Sequence, residues 1–371
     1  MKILKCIAII ALVLGFMKPL IAETDIFGYY ENRFFLLQTC DNLFGDGEHY
    51  KLGDYNRLRL KLKATPSEKV AVNVAVDFFT FHGITSSPMG TYGDGGGAAA
   101  VNDNVTIDLD RAYVDLYFKR FDLSIGKQRV ALGVSYVWAP LDIFNRVNIL
   151  EPKEEKPGAN AIKLYVPLGA SSSITAVFSP DEDFQTSRSA LRGKFHIAGV
   201  DLGLTYIRWG QRDLSVYGLD LRGENVVGWW VEAGYFVFPG REETKIAAGF
   251  DYTFPIGNGV YWLSEYYYDS SGEKDPLKYD YNLLLNGDRF TLGQQYCLSM
   301  LTYNFSDFSS GSLSYIANWG DGSFYLSPSI NYDISQNIRL TSGFYFPLGK
   351  DTGEFKSNKP NVFFVWVKVN F

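Results

Sequence analysis

Between Asn56 and Lys63 a cation stands at every second position, Arg57, Arg59, Lys61 and Lys63, with Leu58, Leu60 and Leu62 between them. A strand sends successive side chains to opposite faces, so one side of this segment is cationic and the other is leucine. Similar alternation recurs from Asp25 to Phe371, with no segment of helical period to cover the apolar side. An apolar outside around a polar inside is the pattern of a transmembrane β-barrel. The expected fold is therefore all-β, an antiparallel barrel that crosses a membrane on strands.

The first residues fit a chain sent out of the cytoplasm. Lys2 and Lys5 precede an apolar run over 7–17, Lys18 and Pro19 end it, and Leu20-Ile21-Ala22 offers a small residue for cleavage. A membrane helix needs about 20 apolar residues, so residues 1–22 read as a secretory signal peptide and 23–371 as one barrel domain. The formal charge of −6 falls to about −9 once the three lysines of that segment leave. An acidic balance gives no footing for nucleic-acid binding. Aromatic residues make up 16% of the chain, enough for girdles at both membrane interfaces. Trp229-Trp230 and Tyr266-Tyr267-Tyr268 are assigned there. Cys40 and Cys297 are expected to stay unpaired.

Turn residues divide the chain into about 18 strands, with 16 as the alternative. Short connections at 65–68, 119–120, 198–199 and 333–337 take turns with long ones at 40–53, 82–107, 130–159, 270–289 and 347–360. Bacterial barrels have short periplasmic turns and longer extracellular loops, so the first long connection is placed outside. In the last segment Phe363, Val365, Val367, Val369 and Phe371 share one face, and Lys368 and Asn370 share the other. This resembles the C-terminal strand signal of Gram-negative outer-membrane barrels, which implies an outer-membrane location.

If the apolar alternates face lipid, the others line a pore. The first half contributes Arg33, Arg57, Arg59, Lys61, Lys63, Arg111, Lys163, Arg192 and Lys194, against fewer acids such as Glu31, Asp77, Asp115 and Asp122. The second half contributes Asp220, Glu232, Asp251 and Glu265. A cationic wall in a low-dielectric lumen favours anions, so passive diffusion of small hydrophilic solutes with an anionic lean is expected. No cofactor or metal is needed for that. The histidines, His49, His82 and His196, are placed in outer loops or at a strand end without a serine partner, which sets an enzyme aside.

The third external loop, 130–159, carries Trp138, Asp142, Phe144 and Arg146 after a strand ending in Arg129. So apolar a loop is expected to fold into the lumen and constrict it. Gly126-Lys127-Gln128-Arg129, Gly133 and the run from Trp138 through Pro140, Asp142 and Phe144 to Asn145 resemble the strand end and loop of porin-like and alginate-export-like outer-membrane proteins. The resemblance implies a barrel of 16 to 18 strands passing small solutes or acidic polysaccharide through a basic lumen, with Arg129 and Arg146 as eyelet residues. Export of an acidic polysaccharide and a closed adhesive barrel are the competing readings. Many porins are homotrimers, but the sequence shows no clear trimer face, and the oligomeric state stays open.

Overall fold

The structure is a computed structural model that describes residues 23–38, 50–83, 99–102, 105–145, 157–285, 289–357 and 359–371. Its strands are β1 (Glu23–Gln38), β2 (Tyr50–Ser67), β3 (Val70–Gly83), β4 (Ala99–Asn102), β5 (Val105–Tyr117), β6 (Asp122–Gln128), β7 (Ala159–Pro167), β8 (Ser173–Ser179), β9 (Arg188–Ile197) and β10 (Val200–Trp209). They continue as β11 (Leu214–Glu224), β12 (Gly228–Phe238), β13 (Arg241–Phe254), β14 (Val260–Asp269), β15 (Gln295–Ser306), β16 (Ser309–Asn318), β17 (Ser323–Ser335), β18 (Ile338–Leu348) and β19 (Asn361–Asn370). All pair antiparallel, and β1 meets β19 from Tyr29↔Asn370 to Gln38↔Asn361. The sheet closes on itself as an 18-strand barrel. The four-residue β4 is an extra piece laid against the start of β5 and lies outside the expected set. Closure leaves no open edge in the ring, so its backbone groups find partners on neighbouring strands.

The closing ladder runs to the final residue. Phe371 N–H donates to the Gly28 carbonyl at 3.0 Å, and Gly28 N–H donates back at 2.8 Å. Short links such as 68–69, 118–121 and 198–199 gather at one end of the barrel, the turn end; the longer ones gather at the other, the loop end. Among the described residues no helix is long and apolar enough to cross a membrane.

Side-chain phase follows the leucine alternation. Leu60, Ile125, Leu204, Leu219, Leu313 and Ile330 are all exposed on the outer face, a surface that suits lipid. Two clusters of buried apolar residues lie between the wall and the segment that follows β6.

Three expectations are corrected here. Strand β15 starts at Gln295 rather than 290, because residues before it turn inward and spend their amides on Glu354 and Tyr296. His82 belongs to β3 rather than to a loop, beside Asp54 at 3.3 Å. Trp230 and Tyr267 are not girdle residues. Consecutive aromatics on a strand must point to opposite faces, so these two face inward and are buried at 1% and 3% exposure. The segment 1–22, Cys40, His49 and the loop residues 146–156 lie outside the described residues.

Candidate functional site

The inner face carries the chemistry, and its centre is the segment 129–145 between β6 and β7. It is folded inward and held by two carboxylates of the opposite wall. Glu232 on β12 accepts the N–H groups of Val134 at 2.7 Å, Ser135 at 2.9 Å and Leu141 at 2.8 Å. Glu265 on β14 accepts those of Tyr136 at 2.7 Å, Val137 at 3.0 Å and Trp138 at 2.8 Å, together with the Trp230 indole N–H at 2.9 Å. Successive amides turned toward one carboxylate form an anion-binding concavity, and hydrogen bonds to a charged acceptor are the stronger kind. Gly133 lies directly on Glu232: a Cβ there would sit 2.6 Å from both carboxylate oxygens. The loop backbone can approach this closely only because position 133 has no side chain.

Within the loop Asp142 accepts the N–H groups of Leu132 at 2.6 Å and Gly133 at 2.8 Å, and Asn145 accepts that of Val130 at 2.8 Å. Apolar contacts finish the attachment. Val130, Leu132, Leu141 and Phe144 pack against Ala161, Val177, Ile207 and Val216 of the wall. Trp138 stacks on Tyr267 with centroids 5.8 Å apart and an interplanar angle of 12°.

Several residues expected to line the pore or the eyelet are therefore placed differently. Glu232 and Glu265 do face inward, but both are fully buried under the loop and present no carboxylate to water. Trp138, Asp142 and Phe144 are buried as parts of the attachment, because an acid and two rings on this loop serve its own amides and its apolar seat. Arg129 is exposed beside a pocket of about 460 Å³ that Asp115, Asp122 and Lys163 also line. Arg146 is outside the described residues.

The cations of the first strands come with acids. Arg57 Nε meets Asp77 at 3.0 Å, Arg59 Nη1 meets the same carboxylate at 3.1 Å, and Arg59 Nη2 bonds Asp110. Arg111 also lies 3.4 Å from Asp110. Further round, Arg192 Nη2 holds Asp220 at 2.8 Å and Lys194 Nζ holds Asp201 at 2.7 Å. Asp251 accepts the Tyr261 hydroxyl at 3.0 Å, Lys61 is half-buried and Lys63 is exposed. Asp110, unmarked in the sequence reading, is the residue where β5 slips register against β3, and that bulge brings it to Arg59.

Above the barrel at the loop end, Glu354 is buried among Asn318, whose amide donates at 2.9 Å, the Tyr296 hydroxyl and the Leu292 N–H at 3.3 Å. Asp321 accepts the Glu354 N–H at 2.8 Å. Burial pushes the Glu354 carboxyl up to about 7, against the pull of the Tyr296 and Asn318 bonds, and Asp321 adds to the rise. Phe355, next in sequence, packs edge-on against Tyr296, and both belong to the cluster that seats Trp138. The outer loops and the inward loop thus share one packed unit.

No protein-family model matches the chain, and no curated protein matches its sequence. Solved structures do. OccAB1 of Acinetobacter baumannii is similar at a TM-score of 0.57 and 9% identity, over 94% of this chain and 96% of that one. The outer membrane protein OprD of Pseudomonas aeruginosa is similar at 0.56 and 10%, over 94% and 93%. OpdQ of Pseudomonas aeruginosa is similar at 0.54 and 9%, over 94% and 97%. The chain has the fold of these structures, one of them an outer membrane protein by name.

Proposed function

We propose that this chain is an outer-membrane porin of a Gram-negative bacterium, through which small hydrophilic solutes diffuse passively. The observation that carries the reading is the loop 129–145, bonded along one inner wall of a closed barrel while the facing wall stays polar and partly exposed. A fixed inward segment narrows a barrel of this strand number without filling it. That makes the loop a constriction.

The lean toward anions has a local basis. Arg57 and Arg59 meet Asp77, and Arg59 and Arg111 meet Asp110, which gathers three guanidinium groups on one stretch of the inner wall. Glu232 and Glu265 spend their charge on loop amides rather than on the lumen. Exposed Arg129 and Lys63 add to the positive side. Single-channel recording of the chain lacking residues 1–22, refolded into planar bilayers under a KCl gradient, tests the reading. Ohmic steps with a reversal potential favouring chloride support it; silence from a correctly folded barrel sinks it.

A further inference from the structure

On the outer face of β2 the leucine row gives way to polar residues. Leu58, Leu60 and Leu62 point outward, and Asn56 and Asp54 continue the same phase, with no register shift against β1 or β3 over this stretch. Their ladder partners point outward too: Asn32 and Thr80 flank Asn56, and Phe34 and His82 flank Asp54. The polar side chains join in one network. The Asn32 amide donates to Asn56 Oδ1 at 2.9 Å, and the Asn56 amide donates to the Thr80 hydroxyl at 3.1 Å and to Asp54 at 3.3 Å. The Tyr30 hydroxyl donates to Asn56 Oδ1 at 2.5 Å, and His82 Nδ1 lies 3.3 Å from Asp54. Apolar residues surround this island. Val367 and Val105 end its central row on β19 and β5, Leu58 and Leu60 lie toward the turn end, and Phe34, Leu36 and Leu52 lie toward the loop end. Other outward amides and carboxylates, such as Asn160 and Glu242, stand singly at the loop ends of their strands.

The apolar belt of a barrel faces acyl chains, which neither donate nor accept, so an amide and carboxylate island within it is costly unless something polar covers it. Two of its groups keep capacity to spare. Among the described residues Asn32 Oδ1 accepts no bond, and the Thr80 hydroxyl, which accepts from Asn56, donates none. A lipid phosphate would meet the Asp54 carboxylate in an island that holds no lysine or arginine among the described residues, so charge opposes that occupant. A second copy of the chain suits both groups. Copies arranged about an axis along the membrane normal set the β1 side of one patch against the β3 side of the next, which brings an acceptor to a donor. We propose that the outer face of β1–β3 is an interface with a second copy of this chain, closed by hydrogen bonding between Asn32 and Thr80 of the partner subunit. The interface needs the barrel in its membrane and is independent of whether the lumen conducts.

The test is cross-linking of the chain lacking residues 1–22, refolded into lipid vesicles at high lipid excess. With Cys40 and Cys297 replaced by Ala, Leu58→Cys places one thiol beside the island, and Leu219→Cys places one on the outer face of β11, across the ring. A bis-maleimide should join copies through the first site and leave the second largely unjoined. Adding Asn32→Leu and Thr80→Val to the Leu58→Cys chain should lower that product roughly tenfold, the shift expected from one or two hydrogen bonds in a membrane. Heat-modifiable migration certifies that each variant has folded, and the two single-cysteine chains decide by themselves if the added replacements prevent folding. Equal product at the two sites would report random collision and overturn the interface. So would absence of product at Leu58→Cys, or product indifferent to the loss of Asn32 and Thr80. None of these outcomes touches conduction, which bilayer recording reads separately.

Discussion

Glu232 on β12 and Glu265 on β14 act as a pair of clamps, each accepting three backbone N–H groups of the same inward loop. Among the described residues no lysine or arginine bonds either carboxylate; the loop's amide dipoles answer both charges. The side chains of two strands thus determine where a segment about a hundred residues upstream comes to rest.

Replacing Glu265 by Gln turns one oxygen into an amide donor that faces the donors of Tyr136, Val137 and Trp138. The expected cost is about 2–4 kcal/mol, the scale of breaking hydrogen bonds to a buried charged acceptor. Urea titration of the barrel in lipid vesicles should register the loss. Single-channel traces of the variant should flicker as the loop detaches; quiet steps of unchanged size would mean that packing alone holds it.

Leu141 is fully buried, and a Cβ added to Gly218 on β11 would sit 2.5 Å from its Cδ2. Gly218→Val should therefore displace Leu141 and destabilise the barrel by about 1–3 kcal/mol, the usual cost of overpacking. Leu141→Ala in the same chain should restore part of that loss by making room. If the double variant is as unstable as the single, the strain lies in β11 rather than at the loop.

Alternation made the barrel legible, because a period of two over many segments leaves few other folds. The inward loop was legible from its apolar content. What each inner charge does was not. Arg57, Asp77 and Asp110 are distant in sequence, and their meeting depends on ladder register and on the bulge at Asp110. Glu232 and Glu265 looked like pore carboxylates because strand phase tells inside from outside, but not what covers a residue once it is inside. For Trp230 and Tyr267 the phase itself was sufficient: one of two adjacent aromatics must leave the girdle.

Asp77 lies between two arginines, with Arg57 Nε at 3.0 Å and Arg59 Nη1 at 3.1 Å. Asp77→Asn removes the acid and leaves both cations, so the reversal potential under a KCl gradient should move toward chloride. Replacing Arg57, Arg59 and Lys61 together by Gln should move it toward potassium. Selectivity that ignores both changes would take this wall out of the conducting path.

The Glu354 cluster should respond to pH in the direction opposite to a salt-bridged acid. Its carboxyl is raised to about 7 in the folded protein, from an ordinary value near 4.5, chiefly by burial. Between those values the folded state holds a proton that the unfolded state has released, so stability falls as pH rises. The contribution is complete below about pH 4.5 and is lost by about pH 7, amounting to roughly 3 kcal/mol at about 1.4 kcal/mol per unit. Asp321, Tyr279, Tyr281, Tyr296 and Tyr325 are the titratable groups around it, and burial raises the Tyr279 hydroxyl above its ordinary value, so it stays neutral throughout this range. Amide exchange across 349–357 should therefore quicken from pH 4.5 to pH 7.5, after correction for the intrinsic rate. Glu354→Gln keeps an oxygen for Asn318 and loses the titration, so its corrected exchange should be flat over the same interval. A wild-type profile that is equally flat would mean the carboxyl titrates as it does in water.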